Sequence, residues 1–145
     1  MWARVFPRAS QRRGDRFWSF VHDMLLARQW NLVEALSNYA LREPPDKAHN
    51  PVLLLEAHWL ALKRLGRLDE LREDISDIDV NVLQLPADHT AAIHALRGEV
   101  AEAIAALRMS VRLGQSTIRD LLMWPLLEEV RATPEFTDLL TELMP

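Results

Sequence analysis

The residues of this 145-residue chain that could carry out acid–base or metal chemistry are five histidines and several pairs of acidic residues. His89 and His94 are the closest pair, and five positions on a helix turn the side chains about 140° apart, so they diverge. The sequence contains no acid–histidine zinc motif. We therefore predict no metal site, and we interpret His58 and His94 as partly buried core residues with ordinary hydrogen bonds.

Neighbouring acidic residues could act as a general acid and a general base. These pairs are Asp69-Glu70, Glu73-Asp74, Asp77 with Asp79, and Glu128-Glu129. We interpret most of them as solvated helix faces or caps, and the 77–79 pair lacks the glycine and the closing glutamate of a calcium loop. The chain has no cysteine, no glycine-rich phosphate loop and no nucleophile elbow. We therefore predict that the protein is not an enzyme and needs no cofactor.

Composition indicates a folded domain, since 49% of the residues are hydrophobic and 26% are charged. No apolar run approaches the ~20 residues of a membrane-spanning helix, and no secretory signal follows the basic start. The lack of cysteine is compatible with a reducing compartment. We expect a cytoplasmic protein without a membrane partner.

The charges are unevenly distributed. Residues 1–16 carry five arginines against Asp15, a net charge of +4, and the remaining chain has a net charge of -8. We predict a basic N-terminal arm over residues 1–15 and one helical domain over residues 16–145. The arm could contact nucleic acid through its arginines and its aromatic residues, or it could be a solvated terminus that folds back onto the acidic body. The acidic body makes nucleic acid the less favoured partner.

Apolar residues that recur every three or four positions predict seven or eight helices and no paired strands. The first helix begins at an Asp15 N-cap. The second begins near Asn31, with its inner face formed by Leu32, Ala35, Leu36 and Tyr39. The helix from Pro51 to about Leu65 is apolar nearly all round, which places it in the middle of the fold.

The second half of the chain contains clearer helix boundaries. Residues 77–86 predict an extended linker, and helices follow over residues 88–97 and 99–112. Thr117 and Asp120 have the spacing of a capping box. Thr133-Pro134 begins the terminal helix, whose apolar stripe is Phe136, Leu139, Leu140 and Leu143.

Three segments share one plan of helix, tight turn and helix. Their turns centre on Trp30, Gly66 and Gly98, which are 36 and 32 residues apart. The average of these two spacings, 34 residues, is the length of a tetratricopeptide repeat (TPR), and such a period is typical of stacked helical hairpins. Each hairpin buries its apolar faces by packing against its neighbours.

The residues themselves also resemble the TPR family. Ala91 and Ala103 match the small positions of the two helices in the third hairpin, and Ala35 and Tyr39 match small and aromatic positions in the first. Trp59 and Leu71 of the middle hairpin stand where small residues are usual, so this hairpin is degenerate. In the first hairpin, Trp30 replaces the turn glycine.

The tail is similar to the segment that closes many bacterial TPR arrays. The residues that carry this resemblance are Leu127, Val130, Arg131, Pro134, Phe136, Leu139 and Leu140. The two resemblances imply an all-α fold, a short right-handed α-solenoid of about three hairpins with C-terminal capping helices.

The resemblance implies a protein-interaction module whose first helices line a concave groove. The positions that would face this groove are Phe17, Phe20, Met24, Arg28, Leu53, Glu56, Leu60, Lys63, Arg64, Asp88, Ala92 and Ala95. Such a groove suits a protein or peptide with apolar anchors and a carboxylate. The alternatives are that Phe17, Met24 and Leu60 are core residues, that the groove is filled by the chain's own terminal segment, that the protein forms a homo-oligomer, or that it is a small helical enzyme with an unrecognised site.

Overall fold

The computed structural model describes residues 9–42, 51–75 and 85–144, and within these ranges the backbone forms helices and no strand. The helices are α1 (Ala9–Leu26), α2 (Trp30–Arg42), α3 (Pro51–Arg64), α4 (Leu68–Ile75), α5 (Ala87–Arg97), α6 (Val100–Arg112), α7 (Ile118–Met123), a 3₁₀ helix (Pro125–Leu127), α8 (Glu128–Arg131) and α9 (Pro134–Leu143). The all-α prediction is thereby confirmed. The chain divides into two compact units, residues 1–68 and residues 69–145.

The first helix starts earlier than the sequence predicts. α1 begins at Ala9, so Asp15 lies inside the helix and the predicted N-cap at this residue is wrong. Alanine, glutamine and arginine are good helix formers, and they dominate the residues before Asp15. Residues 1–8 of the predicted arm and residues 77–84 of the predicted linker lie outside the described ranges.

Four helices end in the same way, at a residue with a positive φ angle. These residues are Arg28 (57°), Gly66 (74°), Gly98 (77°) and Gly114 (71°). In each case the next N–H donates to the carbonyl five residues earlier, for example from Glu99 to His94 at 2.9 Å, which is a Schellman motif. The predicted turns at Gly66 and Gly98 are confirmed. In the first turn the residue in the glycine position is Arg28, and Trp30 is the first residue of α2.

The turn residues allow a pair of substitutions with opposite expected effects. A Cβ atom at Gly98 meets no other atom within 4 Å, so Gly98→Ala incurs only the conformational cost of a left-handed residue, about 1 kcal/mol. Arg28→Gly removes the same strain, and we expect it to leave stability unchanged or raise it by up to about 1 kcal/mol. Urea unfolding measures both, and equal losses of stability would contradict the left-handed assignment of Arg28.

Burial repeats in register with the first three turns. Buried residues occur seven positions before the turn residue (Val21, Trp59, Ala91), five after it (Val33, Leu71, Ala103) and nine after it (Ser37, Ile75, Leu107). This register corrects the match predicted for Ala35. The residue of the first hairpin that corresponds to Ala103 is Val33. The distances between the turn residues are 38 and 32 residues.

The buried face of α2 differs from the predicted one. The structure buries Val33, Ser37 and Ala40, whereas Leu32 and Tyr39 of the predicted inner face are exposed. Two stripes overlap on this helix, and the polar Ser37 makes the buried stripe the less hydrophobic of the two in the sequence. The burial of Ser37 is compensated, because its hydroxyl donates to the Val33 carbonyl at 2.6 Å and lies 3.2 Å from Nδ1 of His58 on α3. α3 itself is buried around most of its circumference, as predicted.

The core of the second unit forms around the α5–α6 hairpin. Its buried residues are Ala91, Ala95, Ala103, Ile104, Leu107, Leu121, Leu127, Val130, Phe136 and Leu139. The alanines let α5 and α6 approach closely, and α9 packs on α6. The predicted start of α9 is confirmed, with Thr133 as N-cap and a proline in the first turn. On its outer side Glu142 accepts hydrogen bonds from Arg108 at 3.0 Å and from Arg112 at 3.2 Å.

The predicted capping box at the start of α7 is confirmed. The Thr117 N–H donates to the Asp120 carboxylate at 2.7 Å, and the Asp120 N–H donates to the threonine hydroxyl at 3.2 Å. The backbone and side-chain hydrogen bonds from Thr117 lower the pKa of Asp120 below its ordinary value.

This lowered pKa predicts an acid-dependent contribution to stability. Because the folded pKa of Asp120 lies below the unfolded value of about 4, the contribution is complete above pH 4 and is lost as the pH falls through the folded pKa. We expect the stability difference between the wild type and Asp120→Asn to be constant from pH 7 to pH 5 and to shrink in acid. Urea titrations across this range measure it, and a difference that grows in acid would contradict the capping geometry.

Candidate protein-interaction surface

The structure places the predicted groove residues in different environments. Exposed positions are Phe20 and Arg28; partly buried positions are Phe17, Met24, Leu53, Lys63, Arg64 and Asp88; and buried positions are Glu56, Leu60, Ala92 and Ala95. Glu56 is 1% exposed and Leu60 is 2% exposed. Their side chains therefore do not reach the surface on which a partner would bind. Phe20 on α1 and Arg28 in the turn after α1 do reach the surface.

α2 carries an apolar surface that is more exposed than the predicted groove residues of α3. Leu32, Ala35 and Tyr39 follow one another at spacings of three and four, so they form one stripe along the helix. Leu32 is 41% exposed and Tyr39 is 59% exposed. We call these three residues the α2 stripe. A tyrosine on an exposed helix face is the type of residue that anchors protein interfaces.

The α2 stripe lies between two arginines. Arg28 is exposed in the turn before α2, and Arg42 is the exposed last residue of the helix. The acidic residue of α2, Glu34, is mostly buried and lies 3.5 Å from Arg67. Each end of the stripe therefore lies close to an arginine in the chain.

The two compact units differ in charge as well. Residues 1–68 contain 11 basic residues against six acidic ones, a net charge of +5. Residues 69–145 contain six basic residues against 15 acidic ones, a net charge of -9. The unit that carries the α2 stripe is thus the basic one.

α6 provides an internal comparison for α2. Both helices have 13 residues, and α6 starts 70 residues after α2. The stripe positions correspond to Glu102, Ala105 and Met109, which are also exposed, and both helices end in an arginine. The helices therefore differ at the surface, where α2 has a leucine and a tyrosine and α6 has a glutamate and a methionine.

The Ser37–His58 contact between α2 and α3 has the residue types of a nucleophile and its base. The hydroxyl is completely buried, however, and it donates to the carbonyl of its own helix. No substrate can reach it in this structure. The contact instead satisfies a buried serine and joins two helices.

A second polar cluster lies at the turn between α5 and α6. Nδ1 of His94 contacts the Glu99 carboxylate, and the Arg97 guanidinium donates to the Ile75 carbonyl at 2.7 Å. These contacts join the end of α4 to the α5–α6 turn. His58 and His94 are both partly buried and hydrogen-bonded, as the sequence predicts.

Within residues 9–42, 51–75 and 85–144, no three His, Asp or Glu side chains lie close enough together to hold a metal ion. None of the helices in these ranges is both long and apolar enough to span a membrane.

Comparison of the chain with protein-family models, with curated proteins and with solved structures finds no match.

Proposed function

We propose that this protein is a protein-interaction module that binds a protein or peptide partner through the α2 stripe. The observation that carries the proposal is the exposure of Leu32 and Tyr39 on one helix face. Tyrosine is among the residues that contribute most to binding energy in protein interfaces, and arginine is another. Both types are present here.

The repeated burial around three turns supports the finer proposal that the hairpins are TPR-like and form a short solenoid. In this proposal the helix after each turn buries the fifth and the ninth residue after the turn residue. The tail residues that resemble a closing segment contribute Leu127, Val130 and Phe136 to the core, which suits a capping role.

The binding site in this proposal differs from the one that the resemblance implies. A TPR groove would use the first helices of the hairpins, but Leu60 on α3 is buried. The α2 stripe lies on the second helix of the first hairpin. Phe20, which is 47% exposed on α1, remains the predicted groove residue best placed for contact with a partner.

The experiment that tests the proposal compares Tyr39→Glu with Met109→Glu in the tagged full-length chain. The two residues occupy corresponding, exposed positions of α2 and α6, so both variants should fold. We expect proteins captured from lysate of the source cell by the wild type to be retained by Met109→Glu. A hot-spot tyrosine contributes about 2 kcal/mol or more, so Tyr39→Glu should weaken their binding about thirtyfold or more. Equal capture by the two variants in quantitative mass spectrometry would contradict a binding role for the α2 stripe.

A further inference from the structure

We draw no further inference here: the strongest candidate, the exposed apolar face of α2 formed by Leu32, Ala35 and Tyr39, already carries the proposed function, and nothing in the residues that the structure describes shows what covers it.

Discussion

Phe136→Ala is expected to destabilise the second unit by about 3–5 kcal/mol, the usual cost of truncating a buried phenylalanine. Phe136 lies on α9, is 3% exposed, and belongs to the cluster that includes Leu107 of α6 and Leu121 of α7. Its removal leaves a cavity at the point where the terminal helix meets the hairpin. Since a domain of this size is held together by about 5–15 kcal/mol, this loss should lower the melting temperature by about 10 °C or more.

Asp138→Ala is the matched control for this prediction. Asp138 lies two residues further along the same helix and is exposed, so we expect its substitution to change the melting temperature by only a few degrees. Thermal unfolding followed by circular dichroism measures both variants. A Phe136→Ala protein as stable as Asp138→Ala would show that α9 is not part of the core, and would leave it as an element that docks elsewhere.

Arg131→Met is expected to cost about 2–4 kcal/mol, because charge-assisted hydrogen bonds contribute about 1.5–3 kcal/mol each and the methionine stem recovers part of the packing. The Arg131 guanidinium donates to the carbonyls of Leu121 and Trp124, at 3.1 Å and 2.6 Å. These carbonyls lie at the end of α7, so one side chain on α8 closes that helix. In Arg131→Met both carbonyls lose this donor.

The pH dependence of the Arg131 contribution provides a second test. Burial lowers the pKa of Arg131 and the nearby Glu128 opposes this shift, but a guanidinium stays protonated across the range in which proteins are handled. The stability lost in Arg131→Met, measured by urea unfolding, should therefore be the same at pH 6 and pH 9. A loss confined to the lower pH would show that another titrating group is responsible. Arg131→Lys keeps the charge without the planar fork, and we expect an intermediate stability.

Much of the second unit was predictable because single residues mark its boundaries. Thr117 with Asp120 and Thr133 with Pro134 each fix a helix start through a side-chain cap or a missing N–H, and Gly98 fixes a turn through its left-handed backbone. Ala91 and Ala103 indicated the close packing of one hairpin. These features act locally, so they can be recognised without knowledge of the tertiary structure.

The candidate site was harder to predict, because it depends on which of two overlapping stripes α2 buries. Leu32, Ala35 and Tyr39 have the more hydrophobic pattern, and sequence periodicity therefore placed them inside. The structure buries Val33, Ser37 and Ala40, and the Ser37 hydroxyl is satisfied there by its own helix and by His58. The small size of Ser37 and Ala40 was the one sequence signal for this alternative, since small residues favour close helix packing.

The turn before α2 shows a related limit. Arg28 adopts the conformation that glycine adopts at the other three turns, and a non-glycine residue there is uncommon. For this reason the turn predicted from the sequence is centred on Trp30, two residues too late. The predicted register of the first hairpin is therefore shifted by two residues. The buried residues repeat in register with the left-handed residues, and nothing in the sequence marks Arg28 as one of them.

Photo-cross-linking from position 39 tests the central claim most directly. The full-length chain carries a benzophenone amino acid in place of Tyr39, or in place of Met109 on α6 as the matched control, and is irradiated in the source cell. If the α2 stripe binds a protein partner, position 39 should form a discrete adduct with a defined peptide of one partner protein, and position 109 should not. No adduct at position 39, or the same adducts at both positions, would contradict the account.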